Sequence, residues 1–224
     1  IDIIKKMKTA IAFAVIVALA ICVPPIPSHP DGFVFSSPET KKARIDIYED
    51  LLCIDCKHFE GPFKNFLNSH EVDGVAITDL VEVVVHIFPL PYHHHAFFPA
   101  QLGAFIADQN NNHTEFFEYS DWIFDHQDEF NSGSVELTQP QVQAKLCAEA
   151  SADLAFLDES ACLQEFSNND HNNDARISFK LAAYYGVNGT PTTFLNGVEV
   201  DAPLTTQGWV NLVKPYVTSE ATAF

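Results

Sequence analysis

Residues 81–90 read Val-Glu-Val-Val-Val-His-Ile-Phe-Pro-Leu. β-Branched residues follow one another almost without a break, where a strand with one wet face would alternate. Such a run marks a strand buried on both faces, and Pro89 and Pro91 end it. The other segments are read around it. Phe33-Val34-Phe35 is a short strand candidate, and Arg44 to Tyr48 alternates as a strand should. Cys53 to Ser69 predicts a helix, with Phe59, Phe63, Phe66 and Leu67 at three-to-four spacing and Pro62 as an expected kink. From His94 to about Tyr185 the pattern is helical. Ala96 to Asp108 forms one segment, Thr114 and Thr138 offer caps for the next two, and Leu154, Leu157, Ala161 and Phe166 suggest another. Asn168 to Asp174 is a polar break, and Ala175 to Tyr185 is a helix stopped by Gly186. Thr192 to Val200 turns at Asn196-Gly197 as a β-hairpin, and Trp209 to Val217 is a last amphipathic helix. The order predicts an α/β fold with a mixed central sheet flanked by helices.

Charge excludes several functions. The 224 residues carry 12 Lys+Arg against 30 Asp+Glu, a formal net charge of −18. Binding duplex nucleic acid or an anionic membrane surface requires cations, so neither is expected. The single methionine is Met7, flanked by Lys5, Lys6 and Lys8 and followed by the apolar run Thr9 to Val23. That run is about 15 residues long before Pro24, short of the about 20 needed to span a bilayer. Residues 1–28 are therefore read as upstream sequence and a secretory signal peptide, with an uncleaved anchor as the alternative. Ala18-Leu19-Ala20 resembles a cleavage site; a lipoprotein signal at Cys22 is disfavoured by the large Ile21. Removing this segment leaves a more acidic chain with an even four cysteines, in an oxidising compartment and with no stable membrane insertion. The final Ala223-Phe224 is not a lumenal-retention signal, so secretion or the secretory-pathway lumen is expected in a eukaryote, and the periplasm in a bacterium.

Cys53-Ile54-Asp55-Cys56 follows a strand and opens a helix. A helix N-terminus offers partial positive charge and free N–H groups, which stabilise a thiolate at Cys53. Cys56, one turn on, can attack a mixed disulfide formed at Cys53. The spacing alone also suits half a zinc site, but Cys147 and Cys162 are not a second C-x-x-C. Near the other end stands Gly186-Val-Asn-Gly-Thr190-Pro191-Thr-Thr-Phe-Leu-Asn-Gly197. With this segment and the cysteine pair, the chain resembles the thioredoxin superfamily, and its DsbA-like branch in particular. Weaker matches are Tyr48, Asp50, Phe88-Pro89-Leu90 and His93. The separation between Cys53 and Pro191 is far longer than in thioredoxin itself, and the extra length looks like the helical insertion of that branch.

The resemblance implies a thioredoxin-like domain in two parts, 29–92 and 186–224, around a helical insertion, 93–185. It implies a catalytic pair Cys53 and Cys56, and a substrate-docking edge at Thr190 and a cis Pro191. The implied function is thiol–disulfide oxidoreductase, acting on protein thiols and disulfides without metal or cofactor and reset by a redox partner protein or glutathione. Alternatives are glutathione-linked transferase or reductase chemistry on the same fold, or a secreted binding or chaperone-like module with structural disulfides. Two departures are visible. Ile47 stands where relatives often bury an acid, leaving Glu49 or Asp50 as substitutes unless both are solvated. Ile54-Asp55 stands where oxidising relatives often carry Pro-His, so Asp55 is expected to oppose the thiolate, with Lys57 and His58 compensating in part. Cys53 is accordingly expected to be less acidic than in strongly oxidising relatives.

Four further features carry expectations. Cys147 and Cys162 read as a structural disulfide, the alternative being two buried thiols. His93-His94-His95 is a poor metal site, because adjacent side chains diverge. Asn112-His113-Thr114 is a glycosylation sequon; Asn188-Gly189-Thr190, beside Pro191, is a poor one. Most phenylalanines read as core, with Phe97 or Phe98 as candidates to border the cysteines.

Overall fold

The computed structural model describes residues 24–109 and 111–218. The leader reading therefore lies outside the described residues, apart from its last few positions. Among the described residues no helix is long and apolar enough to cross a membrane.

Five strands form one mixed sheet, in the order β1 (Phe33–Ser36), β5 (Val81–Ile87), β2 (Ala43–Glu49), β6 (Thr192–Leu195), β7 (Val198–Val200). A separate small hairpin pairs β3 (Glu71–Val72) with β4 (Val75–Ala76). β5 runs parallel to β2 and antiparallel to β1; β2 and β6 are antiparallel, as are β6 and β7. All seven residues of β5 are buried, as its β-branched run requires. That includes the polar Glu82 and His86, each of which is paired. Glu82 holds Lys41 at 2.5 Å and Arg44 at 2.8 Å, while His86 sits between Asp31 (2.8 Å) and Asp46 (3.0 Å). Asn196 (φ 52°) and Gly197 (φ 80°) make the β6–β7 turn, the positive-φ pair that a two-residue hairpin demands.

Helix α1 (Ile54–Ser69) packs its buried Phe59, Phe63 and Phe66 against Trp209 of α8 (Thr206–Val217), with ring centroids 4.6–6.0 Å apart. Between β5 and β6 the chain forms α2 (Phe97–Gln109), α3 (His113–Asp125), the short α4 (Gln127–Phe130), α5 (Gln139–Asp153), α6 (Glu159–Asn168) and α7 (Asn172–Tyr184). Some boundaries differ from the sequence reading. Leu154 and Leu157 lie outside α6, which starts only where Asp158 accepts from the Ala161 N–H at 2.8 Å. Asn112, not Thr114, caps α3: its side chain accepts from the Thr114 N–H at 3.0 Å. A disulfide between Cys147 and Cys162, with Cα atoms 5.6 Å apart, ties α5 to α6.

Candidate functional site

β2 ends at Glu49, and a tight loop of residues 50–53 leads into α1. The Cys53 N–H donates to the Asp50 carbonyl at 2.9 Å, and Cys53 is the N-cap residue of α1. The carbonyls of this loop are held from outside. Gln127 Nε2 donates to Leu51 O (3.0 Å) and Cys53 O (2.9 Å), and Asn131 Nδ2 donates to Leu52 O (2.8 Å). Both amides come from α4 and its C-cap, so the helical segment positions the loop that carries the first cysteine. Nothing in the sequence singled out these two residues.

Cys53 and Cys56 are both free thiols and both buried, but differently. Cys53 retains 5% exposure and Cys56 none. The Cys56 thiol donates to Cys53, and this outweighs burial. With further help from Thr190 and the N–H groups of Cys56 and Asp55, it draws the Cys53 pKa down to about 6. Burial, the bond to Cys53 and the nearby Glu49 push Cys56 well above the ordinary thiol range. One sulfur is therefore poised as thiolate and the other holds its proton.

Asp55 and His58 are exposed, and Lys57 faces Asp125 at 3.7 Å. What Asp55 brings to Cys53 is its backbone N–H. The carboxylates before the cysteines are not solvated: Glu49 is 1% exposed and Asp50 fully buried. Burial, and then Glu60 beside it, push Glu49 well above the usual carboxylate range. Glu60 pairs with Lys64 at 2.6 Å, and Lys64 also bonds Asp121. Asp50 accepts from Leu52 N–H (2.8 Å) and Leu90 N–H (2.8 Å), and pairs with His93 Nδ1 (2.7 Å). Of the three consecutive histidines, His93 turns to Asp50, whereas His95 is buried and bonds the Ser134 carbonyl at 3.2 Å, with the His94 ring edge-on to it at 4.3 Å.

The Thr190–Pro191 peptide is cis, and the Cys53 thiol donates to the Thr190 carbonyl at 3.5 Å. The loop before β6 thus lies against the first cysteine, 137 residues away in sequence. Phe98 packs on His95 and Phe166 in the helical layer. A cavity of about 530 Å³ lined by Phe33, Val84, Ala104 and His171 contains neither free cysteine.

A family model described as thioredoxin matches residues 33–215. The chain belongs to the thioredoxin family. No curated protein matches it. Among solved structures this thioredoxin-family chain is similar to oxidised BdbD from Bacillus subtilis, at TM-score 0.66 and 13% identity, covering 87% of this chain and 97% of that one. It is similar to DsbA from Chlamydia trachomatis, at TM-score 0.63 and 14% identity over 86% and 93% of the two chains. It also resembles MdbA, a thiol-disulfide oxidoreductase from Corynebacterium diphtheriae, at TM-score 0.58 and 17% identity over 81% and 88%. These likenesses establish a shared thioredoxin-like fold.

Proposed function

We propose that this thioredoxin-family chain is a protein thiol–disulfide oxidoreductase of the DsbA-like type, working outside the cytoplasm on client cysteines. The observation that carries the reading is the asymmetry of the pair: Cys53 at the N-cap of α1 keeps some exposure and lies against the cis Thr190–Pro191 loop, while Cys56 is fully buried. These surroundings draw Cys53 down to about 6 and push Cys56 well up. Such a pair has one sulfur to attack or be attacked and one to resolve.

In the oxidising direction a client thiolate attacks Cys53 of the Cys53–Cys56 disulfide. The S–S bond breaks and Cys56 leaves, with the buried Glu49 as its proposed proton donor. A second client thiolate then attacks the client sulfur of the mixed disulfide, forming the client S–S bond and releasing Cys53 as thiolate. In the reducing direction Cys53 thiolate opens a client disulfide, and Cys56 gives its proton to Glu49 as it attacks the mixed disulfide. A carboxyl group raised above the usual carboxylate range is better matched to a thiol than an ordinary one. Thr190 and Pro191 form the edge against which an extended client segment pairs. The electrons pass between sulfurs, so no metal or organic cofactor enters; a redox partner protein or glutathione restores the pair. Residues 1–28 serve as the export signal, and Cys147–Cys162 and a glycosylated Asn112 suit an oxidising secretory route or, without the glycan, a periplasm.

The test is a trap. Cys56→Ser should accumulate mixed disulfides between Cys53 and client proteins, released by reductant, and the wild type should catalyse reduction of insulin. A variant that captures nothing, with Cys53 reacting no faster than an ordinary thiol, overturns the reading.

A further inference from the structure

Asp50 is a fully buried carboxylate between two segments. One is its own loop, through the Leu52 N–H; the other is the Leu90–His93 turn, through the Leu90 N–H and the His93 ring. The same residue's carbonyl accepts from Cys53 N–H at 2.9 Å, and His93 N–H donates to Leu90 O at 3.1 Å. Cys53 and His93 are therefore both fastened to one buried residue, Cys53 through the Asp50 carbonyl and His93 through the Asp50 side chain. Burying a carboxylate is costly unless it is bonded and paired, and His93 is the group paired with it. The two residues between the cysteines supply no cation, and His58 points to solvent rather than into the site.

We infer that His93, anchored by Asp50, is a positioning residue for the cysteine chemistry: a cation whose protonation is linked to the redox state of Cys53. This inference rests on the thiol–disulfide reading above. The proton balance gives it a task. When a client dithiol reduces the Cys53–Cys56 disulfide, two client S–H bonds and one S–S bond are lost. A client S–S bond, a Cys56 S–H bond and a Cys53 thiolate take their place. Two electrons pass to the pair, and one of the two client protons is left over. Neutral His93, with Nδ1 committed to Asp50, takes that proton on Nε2. The groups acting on the His93 ring are Asp50 first, then burial, and then Cys53. Asp50 and Cys53 both raise its pKa, while burial lowers it. Binding linkage is reciprocal, so the factor by which a Cys53 thiolate raises the proton affinity of His93 is the factor by which His93 cation stabilises the thiolate.

The decisive measurement is an NMR titration of the His93 ring in the wild-type protein, in the reduced and the disulfide form. His93 should bind its proton at least about threefold more tightly in the reduced form. His93→Gln keeps a donor for Asp50 but carries no charge. In it, the Cys53 thiolate titration should be displaced to higher pH by at least about threefold in acid constant, so that alkylation by iodoacetamide at about pH 5, below the wild-type midpoint, falls by nearly the same factor. An identical His93 titration in both redox states overturns the inference, whether or not His93→Gln folds. So does a folded His93→Gln with the wild-type thiolate titration. If Cys56→Ser still traps clients in that case, the oxidoreductase reading stands and only the role of His93 falls. A wild-type Cys53 no more reactive than an ordinary thiol overturns both.

Discussion

The two cysteine pairs are made of the same atoms and have been given opposite surroundings. Cys147 and Cys162 lie on neighbouring helices, fully buried and joined. Cys53 stands at the N-cap of α1, with two backbone N–H groups and the Cys56 thiol favouring its thiolate and the Thr190 carbonyl 3.5 Å from its sulfur. The first pair cross-links two helices; the second is held as two thiols with opposed acidities. Reactivity here comes from where the helix begins and what packs over it, since burial alone makes a cysteine inert.

Removing sulfur from each pair in turn should break the comparison most sharply. Cys53→Ser should lower insulin reduction to the uncatalysed background. Replacing Cys147 and Cys162 together by alanine should leave that rate within about twofold but cost about 3 kcal/mol of stability, the chain-entropy value for a loop of this size, read by urea unfolding. Equal loss of activity in both variants would mean the buried pair is not merely structural.

Glu49→Gln sharpens the contrast within the reactive pair. Turnover at pH 7 should fall about tenfold or more, because Cys56 loses its proton partner, while alkylation of Cys53 is unchanged. A fall in both rates would assign Glu49 to the first cysteine instead.

The smallest effect is in pH. Alkylation of the reduced protein should rise with a midpoint near pH 6, against the ordinary thiol value of 9.0. The sign for stability follows from a folded value below the unfolded one. The contribution of Cys53 to the reduced protein is complete above the unfolded thiol value and is lost as pH falls through about 6. A flat unfolding midpoint across that window in wild type, matching Cys53→Ser, would contradict it.

Much of the framework was legible in order and pattern. The uninterrupted β-branched run became the central strand β5, and Asn196-Gly197 became the hairpin turn. The site was legible only where chemistry is local. A helix opening at Cys53 is a property of a few adjacent residues, and so is the Thr190-Pro191 motif. Gln127 and Asn131 gave no signal, because an amide in a helical stretch looks the same whether it faces water or a loop from another segment. Glu49 and Asp50 are two adjacent acids at the end of a strand, and the sequence could not say whether they were solvated. Their burial depends on α1 and the Leu90 turn closing over them.

From the sequence alone follow the thiolate-favouring helix N-terminus, the two-residue spacing that lets one sulfur resolve the other, and a mixed sheet flanked by helices. The tertiary structure alone brings His93 onto Asp50 from 43 residues along, and Thr190 onto Cys53 from 137. It also buries Glu49, which raises its pKa, and leaves Asp55 exposed. The physical reason is range. Backbone dipoles act within one turn and are read from adjacent residues, whereas desolvation and charge pairing are set by whatever segment packs closest, however far off it lies in the chain.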